Sequence, residues 1–181
     1  MSYVLTAYLV DIDKLQAIVG SKDASLVEAI KANNAEFFDD EEEEFDDDEL
    51  WLSTAIEHLV MDQEKDTDEA HQYGYALIEI CGYCGELQPC DLWDAARWAA
   101  VEACGLEHLL TKTKPPVELP PNNDFPSIGC LRRAEVAAEL TTAKDRLAAT
   151  KDEDVSELLE EYVGWLQTAD EKGQDMVFFY H

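Results

Sequence analysis

The sequence predicts an α+β domain, predominantly helical, with about six or seven helices packed on a small sheet formed by the N- and C-terminal strands. Three observations predict it. The stretch His71–Glu86, HQYGYALIEICGYCGE, carries an apolar stripe at Tyr73, Leu77, Ile80 and Cys84. Its i, i+4, i+7, i+11 spacing is one face of an α-helix, and the stretch has little charge near mid-chain, so it reads as the central core helix. The chain ends are different: Tyr3–Val10 (YVLTAYLV) and Met176–Tyr180 (MVFFY) are β-branched, aromatic and apolar on both faces. Such runs suit buried strands, and because a lone strand leaves its backbone groups unpaired, the two ends are expected to pair with each other. Finally, 181 residues with 46% hydrophobic side chains suffice for one core, so 1–181 is read as a single domain.

The elements follow in order. After the first strand, Leu15, Ile18 and Val19 mark a short helix closed by Gly20. Ser25 and Glu28 match a capping box that opens a second helix along Leu26, Ile30 and Phe37. The run Asp39–Glu49, DDEEEEFDDDE, has ten acidic residues in eleven; like charges at i,i+4 oppose a helix, so it reads as an exposed acidic loop with Phe45 as an anchor. It lacks the alternating ligands and the glycine of a calcium loop. Leu52, Ile56, Leu59 and Val60 form a third helix, and the polar connector DQEKDTDEA leads to the central one. Beyond Pro89, Asp91 is placed to cap a helix with Leu92, Trp93, Ala96, Ala99 and Ala100, interrupted at Gly105 before Leu106, Leu109 and Leu110. Five of the six prolines fall in 111–129, which reads as a proline-rich loop stapled by Val117, Leu119, Phe125 and Ile128, and as the best candidate for a binding loop. Two further helices follow, on Val136, Leu140, Ala143, Leu147 and on Val155, Leu159, Tyr162, Leu166, Ala169, the second ending at Gly173. Trp51, Trp93, Trp98 and Trp165 fit helical faces.

Charge limits the function classes. The formal net charge is −28, and −18 remains once the acid run is set aside. Such a surface repels nucleic acid and anionic membrane and attracts basic proteins, metal cations or polyamines. The stretch 112–151 is the exception, at +2 against −30 for the rest, an asymmetry that allows contacts within a monomer or in a homo-oligomer. Five cysteines, a start without a basic leader and no long apolar run point to a reducing cytoplasm with free thiols and no membrane span.

Two constellations invite chemistry. Cys81 and Cys84 have C-x-x-C spacing, with Cys90 following, but they fall at the C-terminal end of the predicted helix, where the dipole disfavours thiolate. A structural zinc would want a fourth ligand, so buried thiols are the expectation and no metal or cofactor is assigned. His71, Tyr73, Tyr75 and Glu79 make the other group. His71, Tyr75 and Glu79 share one helical face beside Gly74 and could line a groove for a ligand or for acid–base work, while a capping histidine accounts for His71 equally well. His58, His108 and His181 read as surface or satisfied core. No G-x-S-x-G, Walker loop, G-x-G-x-x-G or H-E-x-x-H occurs.

The segments YVLTAYLVDIDKL, HQYGYAL, DFPSIGCL and FFYH together resemble an uncharacterised bacterial family, a domain of unknown function of about this length. The resemblance covers nearly the whole chain, implies one domain in a bacterial cytoplasm, and brings no activity with it. The acid run looks like an addition to what that family requires. From the residues alone, the leading expectation is a non-enzymatic interaction protein of the inhibitor or immunity type that binds a basic partner. The alternative is a small-molecule-binding or hydrolytic protein with a groove near His71, Tyr75 and Glu79.

Overall fold

The computed structural model describes residues 4–34, 50–93, 96–111, 113–122 and 125–181. The acid run with Phe45, and Phe37 at the end of the expected second helix, lie outside them.

The two chain ends do form the centre of the sheet. Strand β1 (Leu5–Val10) and strand β4 (Asp175–Tyr180) pair antiparallel from Leu5↔Tyr180 to Val10↔Asp175. Val4 and His181 prolong the ladder through two backbone bonds of 2.7 and 3.1 Å. Two edge strands that the sequence reading did not contain complete it: β2 (Glu86–Leu87) beside β1, and β3 (Ser127–Leu131) beside β4, giving the antiparallel order β2-β1-β4-β3. The expected proline-rich loop therefore ends earlier than Gly129. Proline and glycine in DFPSIGCL speak against a strand locally, yet Gly129 is required there, because a Cβ would lie 2.0 Å from the Leu109 carbonyl oxygen.

Eight helices among the described residues cover both faces. On one face lie α1 (Ile12–Ile18), α2 (Ala24–Asn33), α3 (Leu52–Met61) and α4 (Ala70–Cys84). On the other lie α5 (Trp98–Ala103), α6 (Glu107–Thr111), α7 (Arg133–Ala149) and α8 (Glu153–Lys172). Strand alternation divides the core accordingly. Tyr8, Val10, Val177 and Phe179 meet α1–α4, whereas Leu5, Ala7, Leu9, Met176, Phe178 and Tyr180 meet α5–α8.

The central helix is as expected in place and burial, with Tyr73, Leu77 and Ile80 all fully buried. It stops at Cys84, where Gly85 turns extended, and only glycine fits there because a side chain would meet Val10 Cγ1 at 2.5 Å and the Leu9 carbonyl at 2.7 Å. Its buried stripe closes on Cys81 rather than Cys84, which is half-buried. Two helix starts differ from expectation. The cap of α2 is Asp23, whose carboxylate accepts both the N–H and the hydroxyl of Ser25, so the Ser25–Glu28 capping box does not form. No helix begins at Asp91: Trp93 is drawn wholly into the core against Trp165, residues 91–93 turn, and α5 starts only at Trp98. Burial of one large aromatic outweighs the local helix signal.

One buried carboxylate joins the two halves. Asp175, 2% exposed at the start of β4, accepts the first N–H of α1 (Ile12, 2.9 Å) and the first N–H of α7 (Arg133, 2.7 Å). Arg132 stands 3.6 Å away and reaches Asp13 at 2.9 Å. Two helix N-termini converging on one acid satisfy donors that would otherwise be orphaned.

Candidate functional site

Helix α4 positions the residues the sequence singled out, but it does not bring all four together. His71 lies at the start of the helix, partly open, with Nδ1 3.6 Å from a Glu69 carboxylate oxygen. One turn on, Tyr75 meets the His71 ring edge-on at 6.5 Å and, on its other side, the His181 ring edge-on at 5.9 Å. His181 Nε2 lies 3.2 Å from the Thr6 hydroxyl. The result is a row of three rings running from the helix start to the end of β4. His181, read from sequence as surface or satisfied core, is part of it because pairing of the chain ends delivers it there. Burial holds the His181 imidazole below its ordinary pKa.

Glu79 lies a further turn along, half-buried, accepting from the Asn34 side-chain amide at 3.4 Å; burial raises its carboxyl pKa. Tyr73 faces the opposite way. It is fully buried, its hydroxyl accepts the Asp66 N–H at 2.7 Å, and it lies 2.9 Å from His58 Nδ1. The hydrogen bond between the Tyr73 hydroxyl and His58 Nδ1 ties α3 to α4. The cysteines differ among themselves: Cys81 is fully enclosed, and burial pushes its thiol pKa well up, while Cys84 and Cys90 are half-buried. Among the described residues no three His, Cys, Asp or Glu side chains gather as a metal-binding group.

A concave surface at the start of α4 is built by the proline-rich loop. A cleft of about 400 Å³ lies between the first turns of α4, at Ala70 and Gly74, and the loop residues Pro115, Pro120, Pro121 and Pro126. Gly74 is needed, since a Cβ would meet the Pro126 ring at 2.6 Å. The loop is pinned from several sides. Gln16 Nε2 donates to the Pro116 carbonyl at 2.6 Å, Thr113 donates to the Leu109 carbonyl and accepts the Cys130 N–H, and Val117 and Leu119 pack on the core. A second, more open cleft of about 620 Å³ lies between Gln16 and Val19 of α1 and loop residues 114–119. His71 and Tyr75 are each one residue past Ala70 and Gly74, roughly 100° round the helix, so the ring row borders the first cleft without lining it. Among the described residues its lining offers Thr113, Asn122 and Ser127 as polar groups and no titratable side chain. That chemistry suits binding by shape and hydrogen bonds better than proton transfer.

A second polar cluster escaped the sequence reading. Glu139 of α7 accepts the Tyr162 hydroxyl at 3.2 Å and Arg146 at 3.3 Å, and His108 Nε2 stands 3.5 Å from its other oxygen. Burial and the neighbouring carboxylate raise the Tyr162 pKa well above the ordinary phenol range. The four residues tie α6, α7 and α8 together. A spacing of 23 residues between Glu139 and Tyr162 carries no recognisable signal; only the α7–α8 hairpin joins them.

Among the described residues no helix is long and apolar enough to cross a membrane. No curated protein and no solved structure matches the chain. A family model does match, over residues 1–181, and the chain belongs to that family, a domain of unknown function (DUF7691).

Proposed function

We propose that the protein is a non-enzymatic binding protein that engages a basic protein partner through its acidic exterior, in the manner of an inhibitor or immunity protein of the cytoplasm. The supporting observation is how the charges are spent. Arg132, Arg133, Arg146, Lys172 and Lys22 are each used in ion pairs within the molecule. By contrast Glu153, Asp154, Glu157 and Glu160 of α8 are exposed and make no ion pair among the described residues. Unpaired carboxylates ranged along one rigid helix set up a field that steers a cationic partner and repels nucleic acid. Immobilised protein incubated with cell extract at low salt tests this: a basic protein should be retained and should elute as salt rises toward 0.3 M, on the order of one Debye length tightening to about 6 Å. Retention of nothing that salt weakens, or of duplex DNA, ends the proposal.

A second reading is supported by the 400 Å³ cleft, which would take a small uncharged or weakly polar molecule against the proline walls. A fragment screen read by amide chemical shifts should then move Thr113, Asn122 and Ser127 together. Shifts scattered elsewhere would remove it.

A further inference from the structure

The segment after α4 is laid antiparallel along α8. Glu86 meets Lys172 near the end of that helix, the Pro89 carbonyl accepts the Trp165 indole N–H at 2.6 Å, and Leu92 donates its N–H to Glu161 at 3.2 Å. Where the segment reaches the first half of α8, Leu92 and Ala96 face Leu158 across a groove of about 210 Å³ whose other lining residues, among the described ones, are Asp154 and Glu157. Leu87 and Leu92, 54% and 48% exposed, are the large apolar side chains left open to solvent among the described residues, and both belong to this segment.

The groove sets core side chains, Ala96 and Leu158, beside exposed Leu92 and exposed carboxylates. Acidic residues in the first turn of α8, Glu153 and Asp154, favour the helix through its dipole, but Glu157 lies beyond the turn that effect reaches, with acids at i−4, i−3, i+3 and i+4 (Glu153, Asp154, Glu160 and Glu161). Leu92 stands beside them, 48% exposed. Exposed cations close by in sequence are Lys151 and Arg97, against exposed Asp91, Asp152, Glu153, Asp154, Glu157 and Glu160.

We propose that this groove seats a segment of a basic protein partner in which an apolar side chain stands between lysines or arginines. The inference rests on the reading given above and adds the place and the pattern recognised. The apolar side chain packs on Leu92, Ala96 and Leu158, and the flanking cations meet Asp154 and Glu157. Charge complementarity selects this occupant over a second copy, because two chains of net charge −28 repel.

The test uses two fluorescein-labelled ten-residue peptides of equal lysine content, one with leucines between the lysines and one with serines, titrated with the full chain by anisotropy at 0.15 M salt. The leucine peptide should bind about tenfold more tightly, the size expected for sequestering one leucine. L92S should remove that preference, and E157K should weaken both peptides; both positions are exposed, and circular dichroism checks that each variant folds. Equal binding of the two peptides, or a preference that survives L92S, overturns the groove assignment while leaving an acidic binding surface intact. Failure of both peptides to bind overturns the function proposed above as well. A dimer in sedimentation velocity that L92S dissolves would give the groove to a second copy and overturn the basic partner.

Discussion

The carboxylates of Asp175 and Glu157 belong to the same chain and stand at opposite extremes. Asp175 is buried, receives two helix N-termini and faces Arg132. Glu157 is exposed on α8, makes no ion pair among the described residues and sits within one turn of other acids. The first is held by the fold and holds it in return. The second opposes its own helix and is left to solvent.

Substitution separates the two regions. Asp175→Ala should cost the most, about 3–5 kcal/mol in urea unfolding, because it strands the buried Ile12 N–H and the part-buried Arg133 N–H and leaves Arg132 without its inner partner. If the loss were under about 1 kcal/mol, the junction at β4 would not be the pin described. Gly129→Ala comes next at about 3 kcal/mol, since its Cβ would press on the backbone of α6 rather than on a side chain that can yield. Tyr73→Phe should lose about 1–2 kcal/mol by leaving His58 Nδ1 and the Asp66 N–H unsatisfied, without disturbing the cleft.

The ring row gives a pH test. Burial lowers the folded pKa of His181 below its ordinary 6.5, so above pH 6.5 both folded and unfolded chains carry it neutral. As pH falls below that value the unfolded chain binds the proton first, and stability declines until the folded pKa is passed. The melting temperature should therefore drop more steeply in wild type than in His181→Gln across this window; parallel curves would contradict the burial. The smallest effect belongs to the acidic flank. Glu157→Gln should leave stability unchanged or raise it slightly, each relieved i,i+4 repulsion being worth about 0.2–0.5 kcal/mol. A clear loss of stability there would mean that Glu157 serves the fold after all.

Much of the helical architecture was legible because it rests on local periodicity. The α4 stripe as far as Ile80, the α8 stripe and the αL glycine that closes α8 at Gly173 (φ 62°) stand where the pattern put them. What failed did so for non-local reasons. Trp93 abandoned a helix pattern for the core, and Ser127–Leu131 became a strand because β4 offered it backbone partners that no neighbour in sequence could. The candidate site divides in the same way. His71, Tyr75 and Glu79 share a face as the spacing requires, whereas Tyr73 at i+2 from His71 had to point elsewhere, and His181 arrived only through pairing of the chain ends.

The sequence by itself determined an acidic, mostly helical chain with apolar β segments at its two ends, since composition and periodicity are properties of neighbours along the chain. Tertiary structure alone decided which cations would be consumed internally, where Leu92 would be left exposed, and that one buried aspartate would serve two helices. Those outcomes depend on groups far apart in sequence meeting at a few ångströms, where dielectric and hydrogen-bond geometry set their cost.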